Sequence, residues 1–250
     1  MNTTVLQPVY RHRGPLLLVN PDHPLLDEPN QHELYLVPPK QNRVFLERQT
    51  SVMLAKLLSE IGAGGRILPV SGFRTLQEQQ QLYDHSLREH GRAFTEQFVA
   101  KPHCSEHQSG LAVDLARDQP EIDPLCPAFP NHGICGLFRK HAAAFGFIER
   151  YPLGKESVTK IGYEPWHFRY VGFPHSVLIQ QNGLCLEEYL DQLKQYPAHG
   201  KHYQFITQRH TIEIYYLPLS GPVEEVELPT GLPCQISGNN QDGAVVTLWH

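Results

Sequence analysis

Two imidazoles and one carboxylate are the groups from which chemistry can first be read in this chain. His107 and Asp114 stand close together, and Glu164-Pro165-Trp166-His167 follows far downstream. Two histidines with one aspartate are a common ligand set for catalytic zinc, and they leave one position for water. A metal held this way lowers the pKa of that water and polarises a carbonyl. Such a site also needs a general base beside the water. Glu164, three residues ahead of the second histidine, can supply it.

Taken singly, each residue has a plainer reading. With 15 histidines in the chain, chance pairs are plentiful. His103, His132, His141 and His175 are read as ordinary hydrogen-bonding residues. Asp114 alone is a strand carboxylate at a sheet edge. Arg74 is a solvated residue beside a helix start, Gln79 a surface helix residue and Trp166 a core residue. The conjunction carries the signal: SxHxxGxAxD, from Ser105 to Asp114, followed downstream by ExWH.

The elements that must position these groups follow from periodicity. Leu46, Met53, Leu54, Leu57, Leu58 and Ile61 fall at helical spacing, predicting a helix over residues 44–61 that Gly62, Gly64 and Gly65 stop. Residues 66–70 predict a short strand, and Ser71-Gly72-Phe73-Arg74 a turn. Thr75 with Glu78 three residues on is a capping-box signature. The helix it opens runs through Gln79 towards Gly91. Residues 111–116 alternate: Leu111, Val113 and Leu115 share one face, and Asp114 lies on the other. Residues 136–144 predict a helix ended by Gly146, with a strand beginning at Phe147. Residues 166–171 alternate again, placing His167, Arg169 and Val171 opposite Trp166, Phe168 and Tyr170. Two further helices are expected over residues 174–181 and 186–196. Residues 1–42 are Pro-rich and read as extended segments wrapping a core. After Pro197 the texture changes, with strand-like runs over residues 212–217, 223–228 and 244–248. The expected division is a catalytic domain over residues 1–200 and a small β appendage over residues 201–250.

Composition narrows the classes. Twenty-one Lys and Arg against 26 Asp and Glu give a net charge of −5, which argues against a nucleic-acid partner. Hydrophobic residues at 40 % supply enough apolar surface for a core and exclude wholesale disorder. The five cysteines, Cys104, Cys126, Cys135, Cys185 and Cys234, form no CxxC pair and predict free thiols. A Cys126–Cys135 loop disulfide is the alternative. The stretch MNTTVLQPVYRHRG has no apolar leader core, and no run approaches the ~20 apolar residues of a membrane span. The expectation is a cytoplasmic protein. An extracytoplasmic location is the alternative if an N-terminal anchor has been removed.

Longer strings extend the two motifs: SGFRTLQEQQQLY over residues 71–83, FVAKPHCSEHQSGLAVDLA over residues 98–116 and EPWHFRYVGFPHS over residues 164–176. With these the chain resembles the D-Ala-D-Ala metallopeptidases, the family of VanX, VanY and VanXY. The likeness runs over roughly residues 16–196 and is nearest VanXY in character. The tail, including ISGNNQDGAVVTL, is similar instead to the extension of some VanY carboxypeptidases, which are typically membrane-anchored and act outside the cell. The resemblance implies an α+β fold, a central antiparallel sheet flanked by helices, with the C-terminal β appendage. It implies zinc on His107, Asp114 and His167, with Glu164 as the catalytic base. It matches Arg74 to the arginine that stabilises the oxyanion, and Ser105 and Gln79 to polar positions near the substrate's terminal carboxylate. It places Trp166 beside the metal as a lining of the pocket. The implied activity is removal of the terminal D-Ala from peptidoglycan precursors ending in D-Ala-D-Ala, with cleavage of the free dipeptide alongside, in wall maturation or vancomycin resistance.

Three rival readings use the same residues. An L,D-carboxypeptidase applies the same metal chemistry to a different peptide end. A non-haem iron oxygenase also uses two histidines and a carboxylate. Its first two ligands usually sit closer than His107 and Asp114, and it has no use for Glu164. A non-catalytic wall-binding module would need neither Glu164 nor Arg74.

Overall fold

The computed structural model describes residues 2–37, 43–208, 210–219, 224–228 and 230–250. In chain order the strands and helices are β1 (Asn2–Leu6), β2 (Leu34–Leu36), β3 (Phe45–Glu47), α1 (Arg48–Glu60), β4 (Ile67–Ser71), α2 (Leu76–Phe98), β5 (Ala112–Arg117), α3 (Gly133–Ala142), β6 (Phe147–Glu149), α4 (Glu156–Thr159), β7 (His167–Tyr170), α5 (His175–Asn182), α6 (Leu186–Leu193), β8 (Tyr203–Ile206), β9 (Thr211–Pro218), β10 (Glu224–Leu228), β11 (Cys234–Gly238) and β12 (Gly243–Trp249). The chain divides into two compact units. One comprises Val19–Cys185; the other comprises Met1–Leu18 together with Leu186–His250. This grouping differs from a boundary at residue 200, because residues before 19 and helix α6 go with the tail.

The unit Val19–Cys185 is built on a four-stranded sheet in the order β4-β5-β7-β6, antiparallel throughout. Its apolar face carries Leu111, Val113, Leu115, Trp166, Phe168 and Tyr170 into one core with Leu54 and Leu57 of α1 and Phe138 of α3. The alternation read from the sequence is therefore the alternation of the sheet. Phe129, Phe138 and Phe168 meet edge to face at centroid distances of 4.8–5.6 Å, a geometry that adds to area burial. Each fully buried Leu in this core contributes about 1.5–3 kcal/mol. The five cysteines are free, so no disulfide braces the unit.

The start of one helix and the end of another differ from the sequence expectation. The segment at residues 45–47 is a strand, not the first turn of α1, and pairs with β2. Glu47 then caps α1, its carboxylate accepting from the Gln49 and Thr50 backbone N–H groups at 2.9 Å. Apolar spacing cannot separate a short strand from the helix that follows it. Helix α2 opens with the Thr75–Glu78 capping box as expected, but it runs on to Phe98. Gly91, at φ +77°, kinks the helix instead of ending it. Across the kink Ser86 Oγ and Thr95 Oγ1 are 2.8 Å apart, which holds the two halves together.

In the second unit, β11-β12-β9-β8 form an antiparallel sheet, and β1 pairs with β10. Val223, part of the strand expected over residues 223–228, lies outside the described residues. The N-terminal segment is tied into this unit by its backbone. Leu16 N–H donates to Ser237 Oγ at 2.9 Å, Leu18 N–H to Asn239 O at 3.1 Å, and Asn240 Nδ2 to Leu18 O at 2.9 Å.

Candidate active site

Strand register assembles the centre. Asp114 of β5 is the cross-strand partner of His167 on β7, so the two side chains share a face. Their separation is 2.9 Å, from Asp114 Oδ1 to His167 Nδ1. His107 comes from a 3₁₀ turn, Glu106–Ser109, whose four residues are all buried. Its Nε2 lies 3.1 Å from the other Asp114 oxygen, Oδ2. Its Nδ1 lies 2.7 Å from the Gly72 carbonyl, which accepts from a proton held there. Gly72 itself sits so close to the Phe45 carbonyl that a β-carbon would collide with it. Only glycine lets the acceptor reach this place.

Glu164 enters through a β-turn. Its carbonyl accepts from His167 N–H at 3.2 Å, with Pro165 at the second position, where proline is favoured. The turn is braced from behind: Arg139 Nη2 donates to the Pro165 carbonyl at 2.5 Å and to the Phe129 carbonyl at 2.8 Å. Glu164 Oε2 then stands 3.8 Å from His167 Nδ1. Arg74 follows β4, and its backbone N–H donates to the His107 carbonyl at 3.3 Å. The Arg74 Nε is buried and has no hydrogen-bond partner among the described residues.

These groups line one cleft of ≈ 470 Å³ that opens to solvent, and Ser105, Gln79, Trp166 and Tyr151 complete its wall. Gln79 Nε2 donates to the Ala100 carbonyl at 2.7 Å, while its Oε1 finds no partner among the described residues. Gln79 is buried, not the surface helix residue that its sequence position alone suggests. Trp166 belongs both to the core and to the cleft wall.

The electrostatics separate the roles. Burial pushes the Glu164 carboxyl up to about 8, against the opposing pull of His167. A carboxyl poised there can take and return a proton near neutral pH. Burial and the Arg74 guanidinium hold His107 down at about 4, which keeps it neutral. Burial works against the charged form of Asp114, yet His107 and His167 hold its carboxyl well below the usual range. A neutral imidazole and an ionised carboxylate are what a metal needs as donors. His107, Asp114 and His167 each offer a donor atom within 4.8 Å of the others, and all three are buried. This donor set fits a divalent metal, and among the described residues it is the one such group found.

Sequence reasoning missed the layer behind these residues. Glu106 is fully buried, with Oε1 accepting from Arg150 Nε at 2.8 Å and Arg169 Nη1 at 2.5 Å. Burial disfavours its charge, but the two guanidiniums hold it well below the usual carboxylate range. Tyr151 packs on the His167 ring at 4.9 Å and under the Arg150 guanidinium at 4.9 Å. The period of two on β7 held a signal, since it puts Arg169 on the face of His167. Nothing in the spacing of Arg139 or Arg150 could have revealed them.

Two histidines and an aspartate around a common point, with a buried carboxyl and a buried guanidinium beside them, form a donor set of the kind that zinc hydrolases use. The VanY family of D-alanyl-D-alanine carboxypeptidases matches residues 43–173. The chain is 43 % identical over 181 residues to the bifunctional D-Ala-D-Ala dipeptidase and carboxypeptidase VanXYC of Enterococcus gallinarum, covering 72 % of this chain and 95 % of that protein. It superposes on the D,D-dipeptidase VanXYg, solved with a D-Ala-D-Ala phosphinate analogue, with a TM-score of 0.97, 43 % identity and coverage of 100 % and 99 %. It also matches a mutant VanY D,D-pentapeptidase from a VanB-type resistance cassette, solved with Zn(II), at TM-score 0.56 and 33 % identity, over 70 % of this chain and 98 % of that one. The chain belongs to the VanY family of D-Ala-D-Ala peptidases.

Proposed function

We propose that this protein is a zinc D-alanyl-D-alanine carboxypeptidase that trims the terminal D-Ala from peptidoglycan precursors and also splits free D-Ala-D-Ala. The observation that carries the reading is the convergence of His107, Asp114 and His167 with Glu164 3.8 Å from His167. The bifunctional VanXYC relative supports the pairing of activities, and the Zn(II) complex of the VanY neighbour supports the metal.

His107, Asp114 and His167 would hold the ion, which when bound supplies Lewis acidity towards water and the scissile carbonyl. Glu164 takes the proton of the attacking water and returns it to the leaving amine as the C–N bond breaks. Its elevated proton affinity suits both halves of that transfer. Arg74, fixed at the cleft wall, offers N–H groups to the negative charge that develops on the carbonyl oxygen. Such a contact strengthens as the reaction proceeds and so acts on the transition state. Ser105 and Gln79 orient the substrate's terminal carboxylate: both lie on the cleft wall, and the donors they offer are the Ser105 hydroxyl and the second hydrogen on Gln79 Nε2, whose other hydrogen goes to the Ala100 carbonyl.

Incubating the zinc-loaded protein with D-Ala-D-Ala, a pentapeptide precursor and a tetrapeptide tests this reading through the D-Ala released. Release from the first two is the expected result, and release from the tetrapeptide alone would establish the L,D reading instead. The cytoplasm is the compartment we propose, on the strength of five free thiols. Fractionation of cells expressing the native reading frame tests it, and recovery with the wall or membrane would overturn it.

A further inference from the structure

Glu106 is a buried carboxylate to which the hydrolysis above gives no task. Burying an anion with two guanidiniums is costly, and apolar replacements of such clusters are often neutral or stabilising. The geometry supplies a reason for its place. Both arginines use the same oxygen, Oε1. Oε2 is left facing His167 Nε2 at 3.5 Å. Neither of those two buried atoms has a hydrogen-bond partner among the described residues. The opposite ring nitrogen, Nδ1, is the one that faces Asp114 and Glu164. An ionised carboxylate can only accept, so it selects the imidazole tautomer that carries its proton on Nε2.

We propose that Glu106 is a positioning residue for the metal, holding His167 in the Nε2–H tautomer so that Nδ1 is the donor atom. The proposal rests on the reading of His107, Asp114 and His167 as the ligand set. Arg150 and Arg169 take part by fixing which carboxylate oxygen faces the ring. His107 is set in the complementary sense, with Nδ1 turned to the Gly72 carbonyl and Nε2 to Asp114. The two ligating histidines thus present different nitrogens, each chosen by an acceptor on the far side of its ring.

Glu106→Gln tests this with little change of shape. The arginines still require an oxygen, so the amide nitrogen takes the place of Oε2. A donor then meets the Nε2–H donor, and solvent exchange moves the His167 proton to Nδ1, where it blocks the metal. Zinc affinity, measured by competition with a chromophoric chelator, is expected to fall by about 10- to 100-fold, the usual scale for losing such a partner. Far-UV dichroism should stay native. A folded Glu106→Gln protein with wild-type zinc affinity would overturn the proposal, even if its melting temperature is lower. Should that variant fail to fold, ¹⁵N-histidine spectra of the zinc-loaded wild type decide the matter. His167 protonated on Nε2 supports the proposal, and zinc on Nε2 overturns it. His167→Ala separates the premise: unchanged zinc binding there would remove His167 from the ligand set and the inference with it.

Discussion

Asp114 and His167 face each other across neighbouring antiparallel strands, with Asp114 Oδ1 2.9 Å from His167 Nδ1. Fifty-three residues of chain separate them, and the sheet register closes that distance. A slip of one residue would put Phe168 opposite Asp114 and turn the acid away from both imidazoles. The same register fixes the apolar core on the reverse face, so folding and assembly of the centre are one event.

Glu164→Gln keeps the size of the side chain but removes its capacity to accept a proton. Zinc content by elemental analysis should remain near wild type. The kcat for D-Ala release should drop by roughly 10²–10⁴. An unchanged kcat would move the base role to another residue.

Arg74→Ala is expected to lower kcat by about 10²–10³, the scale of losing an oxyanion donor. Arg74→Lys should recover only part, because an ammonium lacks the planar fork. Steady-state kinetics check the assignment. A rise in KM alone would make Arg74 a ground-state carboxylate clamp.

Arg139 braces the turn that carries Glu164, through the Pro165 and Phe129 carbonyls and an ion pair with Glu149. Arg139→Met should cost about 1–3 kcal/mol in urea unfolding, the scale of leaving buried polar groups unpaired. It should also lower kcat in the folded protein by loosening Glu164. Wild-type kcat alongside the lost stability would confine Arg139 to a structural role.

His175, at the start of α5, is buried, and burial holds it down at about 3. The unfolded chain takes up a proton near 6.5 while the folded chain resists, so this group's contribution is present above 6.5 and is lost as pH falls towards 3. Stability should therefore decline with acidification through that window, by up to ~1.4 kcal/mol per pH unit for one proton. Urea titrations at stepped pH on wild type and His175→Gln check this; an identical slope in both would assign the acid sensitivity elsewhere.

Removing residues 198–250 should disturb the N-terminal segment as well. The backbone groups of Leu16 and Leu18 that bond to Ser237, Asn239 and Asn240 would lose their partners. Hydrogen exchange in the truncated chain should show residues 16–18 unprotected. Retained protection there would mean that the tail is separable.

How much was legible in the sequence depends on distance along the chain. His107 with Asp114, and Glu164 with His167, are local pairs whose spacing belongs to a turn entering a strand, and periodicity showed which side of each strand bears the polar group. The Thr75–Glu78 box likewise acts locally, so the opening of α2 could be read directly, whereas the α+β fold was implied by the family resemblance. What only the tertiary structure decided are the meetings of distant segments: Gly72 behind His107, Arg139 behind Pro165, Glu106 between two arginines and His167, and the N-terminal segment joined to the tail. The physical reason is that a single charged or glycine residue has no periodicity of its own. Its partner is chosen by strand register and by the need to satisfy buried polar groups, and both exist only once the chain has packed.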